Sequence, residues 1–226
     1  MSARRTRLAA VAPEERPEAV FVAVERGDAA FRDVRDAADG CRACDLWARA
    51  TQTVFGNGPV PARLMLVGEQ PGDQEDVQGE PFVGPAGRIL DRALEEAGID
   101  RERVFVTNVV KHFKWRPAPS GKRRLHERPN RTEIGACLPW VRSELALVRP
   151  EALVLLGATA AQAVVGPKVR VTRDHGVPLE SELAPLVVAT IHPSAVLRAQ
   201  GGPAREEAYA GLVADLRAVA RRLAAA

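Results

Sequence analysis

Four groups of residues have types and spacings suited to chemistry. Lys122-Arg-Arg-Leu-His126 closes a cationic stretch on a histidine. An imidazole carried there can meet a phosphate backbone and still act as nucleophile or base, because an ordinary pKa of about 6.5 leaves it mostly neutral near pH 7. Gly68-Glu-Gln-Pro-Gly72 is a Gly/Pro turn with polar content, Glu69, Gln70 and the following Asp73. A carboxylate there is placed to position a water or to orient an imidazole. The turn matches neither the P-loop nor the dinucleotide fingerprint, and simple turn geometry accounts for it equally well. His192-Pro-Ser194 supplies another histidine. Cys41-Arg-Ala-Cys44 suits a metal site, a redox pair or neither; joined by His112 and Cys137 it makes four soft donors. Four such donors are enough for a zinc or an iron–sulfur site, and ligand type alone does not choose between them.

Two further residues have both a structural and a functional reading. Phe82, in Pro81-Phe-Val-Gly-Pro85, is either core or a rigid platform for a planar base. Asn108, a polar residue in the apolar run Val104-Phe-Val-Thr-Asn-Val-Val110, either satisfies a buried backbone group or offers the paired donor and acceptor that reading a pyrimidine edge requires.

The elements that must position these residues follow from hydrophobic pattern. Arg63–Gly68, Val104–Val110, Ala152–Gly157 and Leu186–Ile191 are short continuous apolar runs, as buried parallel strands are. Helical periodicity covers Ala86–Ala97 with Gly98 as its stop, Thr132–Val148 with Asn130 or Thr132 as cap, a segment near Thr159–Val165, and Arg205 to the alanine-rich end. Pro17–Asp39 fits one imperfect amphipathic helix, after a charged segment 1–16 expected to be mobile. Alternating strands and helices predict a single α/β domain over 17–226, a three-layer sandwich around a central, mainly parallel four-stranded sheet. Glu69, Gln70, Asn108 and His192 all fall at strand carboxyl ends, where such sheets bind ligands.

Composition sets the class. The 226 residues are 46% hydrophobic and 27% charged, a globular balance, with aromatics at 4% so that the core must be aliphatic. Net charge is only +3, yet eight Lys or Arg face the one acid Glu127 between Lys111 and Arg131, which marks an anion-binding face. No apolar run reaches the roughly 20 residues of a membrane span. Three cysteines and no signal-peptide core point to a cytoplasmic protein without a disulfide framework.

Taken together, the motifs Gly68–Gly72, Pro81–Pro85, Thr107–His112, Lys122–His126 and His192–Ser194 resemble those of the uracil-DNA glycosylase superfamily. Within it the chain resembles the UdgX group, relatives of the family 4 iron–sulfur enzymes, over roughly residues 38–220. The pentad Lys122–His126 is the distinguishing insertion, with Leu125 where isoleucine is more familiar; Ala195 stands where many relatives carry a small polar residue. The resemblance implies a 4Fe–4S cluster on Cys41, Cys44, His112 and Cys137. It implies a uridine flipped from DNA, preferably single-stranded, into a pocket where Phe82 stacks on uracil and Asn108 binds its edge, with Gly68 and Asp73 alongside. His192 is expected to stabilise the departing base and His126 to attack C1′, leaving the protein covalently joined to DNA; Glu69 activates the imidazole while Gln70 and Arg124 shape the site. Lys122, Arg123 and Ser194 are expected to contact phosphates, and Val196 or Leu197, in a loop Pro193–Arg198, to fill the gap in the stack. The competing readings are a turnover glycosylase in which water wins, and a non-catalytic iron–sulfur DNA-binding protein. A monomer is expected.

Overall fold

The computed structural model describes residues 16–27, 29–121 and 123–225. The segment read as mobile thus lies, up to residue 15, outside the described residues, as does Lys122. Four strands, β1 (Leu64–Gly68), β2 (Val104–Asn108), β5 (Ala152–Leu156) and β6 (Leu186–Thr190), form one fully parallel sheet in the order β2-β1-β5-β6. All but Leu186 are buried in these strands, which is why each reads as a mainly apolar run, with the buried polar residues Thr107, Asn108 and Thr190 at strand ends. Alternate residues serve opposite faces. Met65, Val67, Phe105, Leu153 and Leu155 pack on one side against Trp140, Val141 and Val148 of α5 (Arg131–Val148). Leu64, Leu66, Val106 and Val154 pack on the other against Leu90 and Leu94 of α4 (Pro85–Glu96) and Leu212 and Leu216 of α9 (Gly202–Ala225). The result is the expected three-layer α/β sandwich.

The amino-terminal helix divides. Instead of one helix over Pro17–Asp39 there are two, α1 (Arg16–Glu25) and α2 (Phe31–Ala38), broken at Gly27, whose φ of 73° a helix does not tolerate. Asn130 caps α5 by accepting from Glu133 N, while the Glu133 carboxylate accepts from Asn130 N, a reciprocal box.

Three further segments depart from the sequence reading. The strand predicted to Val110 ends at Asn108. The stretch Pro193–Arg198 is not a loop but a helix, α8, with proline at its first position and His192 as its cap. The end of the pentad belongs to a hairpin absent from the sequence reading: β4 (Arg124–His126) pairs antiparallel with β3 (Trp115–Pro117), placing Trp115 opposite His126. Short helices α3 (Asp73–Gln78), α6 (Ala158–Val164) and α7 (Val171–Asp174) complete the chain.

Strand order reverses between β1 and β5, since the chain leaves β1 to one side for β2 and returns on the other for β5. A crevice opens at such a switch point, outside the carboxyl ends of the strands.

Candidate active site

That crevice holds a cavity of about 550 Å³, and side chains from every strand of the parallel sheet reach it: Glu69 and Gln70 after β1, Asn108 ending β2, Thr159 after β5 and His192 after β6. Phe82, Asp73, His126 and Ser194 also line it. Eight of the residues singled out from sequence therefore converge on one pocket.

The floor is built by close approach. A Cβ on Gly68 would collide with Asn108 Oδ1 and the Phe82 ring, so only glycine lets both cross the strand end. Phe82 sits at φ 60°, a left-handed conformation that costs a non-glycine residue of order 1 kcal/mol or more. It is held there by packing: a Cβ on Gly87 would run into the Phe82 carbonyl, and buried Glu75 accepts from Gly72 N (3.1 Å) and Gly84 N (2.8 Å), tying the turns on either side. The Phe82 ring lies stacked with His192, centroids 5.9 Å apart and planes 29° off parallel.

Asn108 is 2% exposed and its Oδ1 has no hydrogen-bond partner. Buried orphan acceptors are rare, and this one lines the cavity. Beneath it lies a buried ion pair that sequence reasoning did not find. Lys111 Nζ is 2.7 Å from Glu144 Oε2, both side chains essentially inaccessible, and also donates to the Asn108 carbonyl (2.8 Å) and to Thr107 Oγ1 (2.6 Å). Glu144 further accepts from Thr107 Oγ1 and from Gly56 N. Burial pushes its carboxyl up while Lys111 opposes.

His192 Nδ1 accepts from Ser194 N (3.1 Å), so the ring proton of the neutral imidazole resides on Nε2. Burial, then the charges of Arg198 and His126, hold its pKa down to about 4, which keeps it neutral at pH 7. His126, 50% exposed, has its Nε2 3.6 Å from Glu69 Oε1; burial lowers its pKa most, Glu69 opposes, and Arg198 adds to the lowering. The other Glu69 oxygen accepts from Thr159 Oγ1, a contact no sequence signal announced.

Of the two residues expected to shape the site, Gln70 lines the cavity and Arg124 stands outside it. The Gln70 amide is engaged wholly with backbone, donating to the Lys114 (3.2 Å) and Glu127 (3.1 Å) carbonyls and accepting from Lys114 N (3.2 Å), which pins the base of the hairpin. Arg124 does not line the cavity; its guanidinium pairs with Asp73 and buried Asp76 and lies over the Phe113 and Trp115 rings. Asp73 is thereby committed to Arg124. Arg123 is exposed in the hairpin. On α8, Val196 is buried in the core, leaving Leu197 at 40% exposure as the apolar side chain available beside the pocket.

The cysteines lie away from this cavity. Cys41 and Cys137 are buried and Cys44 half-buried. A hydrogen bond from Cys137 holds the Cys44 thiol down to about 6 while the same bond, with burial, pushes the Cys137 thiol well up, and the Trp140 indole donates to Cys41 Sγ (3.3 Å). His112 is buried and kept neutral by that burial; Nε2 contacts Thr53 Oγ1 (3.1 Å) while Nδ1 has no partner. Among the described residues no group of three or more His, Cys, Asp or Glu side chains is arranged to hold one metal ion. A four-iron cluster takes one ligand per iron, so its donors surround a volume rather than a point. The orphaned imidazole nitrogen and the thiol set suit that chemistry.

At its switch point the parallel α/β sheet thus carries an apolar ring, an unpartnered amide oxygen and a neutral imidazole. The chain belongs to the uracil DNA glycosylase superfamily: that family's model matches residues 55–217. It is 40% identical over 159 residues to a type-4 uracil-DNA glycosylase of Thermotoga maritima, covering 70% of this chain and 78% of that one. A type-4 uracil-DNA glycosylase of Pyrobaculum aerophilum is 37% identical over 165 residues, with 70% and 80% covered. A type-5 enzyme of the same organism is 30% identical over 139 residues, with 55% and 57% covered. Among the described residues no helix is long and apolar enough to cross a membrane.

Proposed function

We propose that this protein excises uracil from DNA and that His126 then captures the exposed sugar. The observation that carries uracil recognition is the orphaned Asn108 Oδ1 beside the Phe82 ring: an acceptor there pairs with the uracil N3–H, and the amide N–H with the neighbouring carbonyl. As the C1′–N1 bond breaks, its electron pair leaves with the base. The Nε2–H of neutral His192 donates to the carbonyl oxygen on which that charge gathers.

Capture rests on His126 lining the same cavity with a lowered pKa and a carboxylate beside it. An imidazole lone pair forms the bond to C1′, the positive charge passes to the ring opposite Glu69, and the freed uracil anion takes a proton from water. The protein ends covalently attached to abasic DNA. Arg123, Lys122, Ser194 and Leu197 are the proposed DNA contacts, with a single-stranded substrate and a monomeric protein. Cys41, Cys44, His112 and Cys137 would hold a 4Fe–4S cluster, which when bound ties the segment after α2 to the end of β2 and to α5.

The similarity to type-4 enzymes favours a second reading, in which Glu69 directs a water to C1′ and abasic DNA is released with turnover. Incubation with a uracil-containing single-stranded oligonucleotide, followed by a denaturing gel, separates the two. A heat- and detergent-resistant slow band, absent with thymine and absent in His126→Ala, supports capture. Alkali-cleavable DNA with multiple turnovers and no band supports the water reading, and binding without uracil release refutes both.

A further inference from the structure

Glu69 presents two oxygens with different surroundings. Oε1 faces His126 Nε2 at 3.6 Å, and both residues line the cavity. Oε2 accepts the hydroxyl proton of Thr159, in the first turn of α6. The direction of that bond is itself fixed. Arg128 Nε donates to Thr159 Oγ1 at 3.1 Å and lies 3.9 Å from Glu69 Oε2, so the hydroxyl oxygen is occupied as an acceptor and its proton is left for the carboxylate. Thr159 is 5% exposed and the Glu69 side chain 20%. Its placement is also determined: Gly157, at φ 90°, turns the chain from β5 into α6, and a Cβ there would stand 3.0 Å from the His192 Cβ. The same junction therefore sets Thr159 against Glu69 and α6 against His192.

We propose that Thr159 is a positioning residue for the reaction: with Arg128 behind it, it immobilises one oxygen of Glu69 and leaves the other as the working oxygen at the sugar. The role rests on the reading of Glu69 given above, but serves it in either form, whether Oε1 meets the imidazole or a water. A carboxylate free to rotate about its last bond presents either oxygen, or neither, to the reacting centre; one oxygen tied down removes that freedom before substrate arrives. Arg128 and His126 are the titratable groups found at the carboxylate, 3.9 Å and 3.6 Å away, and Thr159→Val also takes from Arg128 Nε the acceptor it has in Thr159.

The test is a cycle of variants. Thr159→Val keeps shape and burial but removes the hydroxyl; Thr159→Ser keeps the hydroxyl. Single-turnover uracil release from a uracil-containing oligonucleotide should fall about 10- to 100-fold in Thr159→Val, the range for a lost hydrogen bond to a charged group. It should return to within about threefold of wild type in Thr159→Ser. Affinity for an oligonucleotide carrying a cleavage-resistant 2′-fluorinated deoxyuridine should change less than about twofold, since Thr159 is assigned no contact with DNA. In a Glu69→Gln background, Thr159→Val should cause no further loss, because the group it acts through is already disabled. Wild-type rate in Thr159→Val overturns the proposal. So does equal loss in Thr159→Val and Thr159→Ser, which makes the residue a packing element, or full additivity with Glu69→Gln. If Glu69→Gln alone releases uracil at the wild-type rate, the reading of Glu69 itself fails.

Discussion

Replacing Glu144 by glutamine exposes how much of the specificity pocket depends on a charge pair that never sees solvent. Glu144 and Lys111 are 0% and 1% exposed as side chains, and the ammonium also holds the Asn108 carbonyl. Glutamine fills the same space and can still accept from Gly56 N, but it leaves Lys111 as an uncompensated buried cation. Removing one partner of such a pair costs about 3–5 kcal/mol. At about 2–4 °C per kcal/mol for a chain of this size, the melting temperature should drop by roughly 6–20 °C. Replacing both, with Lys111→Met and Glu144→Leu together, removes the charge and its partner at once and should recover most of the stability. Urea unfolding followed by circular dichroism measures each step. The double variant should nevertheless excise uracil more slowly than wild type, because Asn108 loses the bond to its carbonyl. A loss below about 1 kcal/mol in Glu144→Gln, or a double variant no more stable than the single one, refutes the assignment of an obligate buried pair.

Three other outcomes are expected. Because burial and Arg198 hold His192 near pKa 4 and lower His126, both rings stay neutral below the usual imidazole range, so the excision rate should hold its plateau below pH 6.5 and fall only as these lowered values are approached; Arg198→Ala should move that acid limb to higher pH, and a limb already at 6.5 or above in the wild type contradicts it. Gly68→Ala should leave the thermal midpoint within a few degrees yet cut uracil release at least tenfold, as Phe82 and Asn108 are pushed aside; normal release would show that the pocket floor yields. Cys41→Ala should abolish visible cluster absorbance in protein purified anaerobically and lower stability, and an unchanged spectrum would remove Cys41 from the ligand set.

The sheet was legible because its strands are buried on both faces, so runs of three to five apolar residues identify it without any periodicity. Pocket residues at strand ends were legible for the same reason, their polarity standing out against apolar runs. The hairpin was not. Trp-Arg-Pro and Arg-Leu-His carry no alternation that opposes a core, and what fixes them is long-range: Gln70 from 44 residues away and the Arg124 clasp on Asp73 and Asp76. The six-residue Asp-Gln-Glu-Asp-Val-Gln helix is invisible to apolar pattern, since its buried members are Glu75 and Asp76. Lys111 and Glu144, 33 residues apart, carry no sequence mark of burial, and a lone threonine after Gly157-Ala158 gives no sign that it meets a carboxylate 90 residues earlier. The division of the first helix was hidden because apolar residues on both sides of Gly27 continue one face closely enough to suggest a single run.

Among the described residues, strands β3 and β4 pair only with each other, and the four-stranded sheet contains neither of them. Residues 115–126 are thus a cartridge docked on a finished scaffold, anchored through side chains rather than through the backbone ladder. The proposed base-reading parts, Phe82, Asn108 and His192, belong to the scaffold, while the group proposed to meet the sugar belongs to the cartridge. Exchange of the segment between the clasp residues would therefore change what becomes of the DNA without redesigning which base is chosen, and selection or an engineer can tune the two independently.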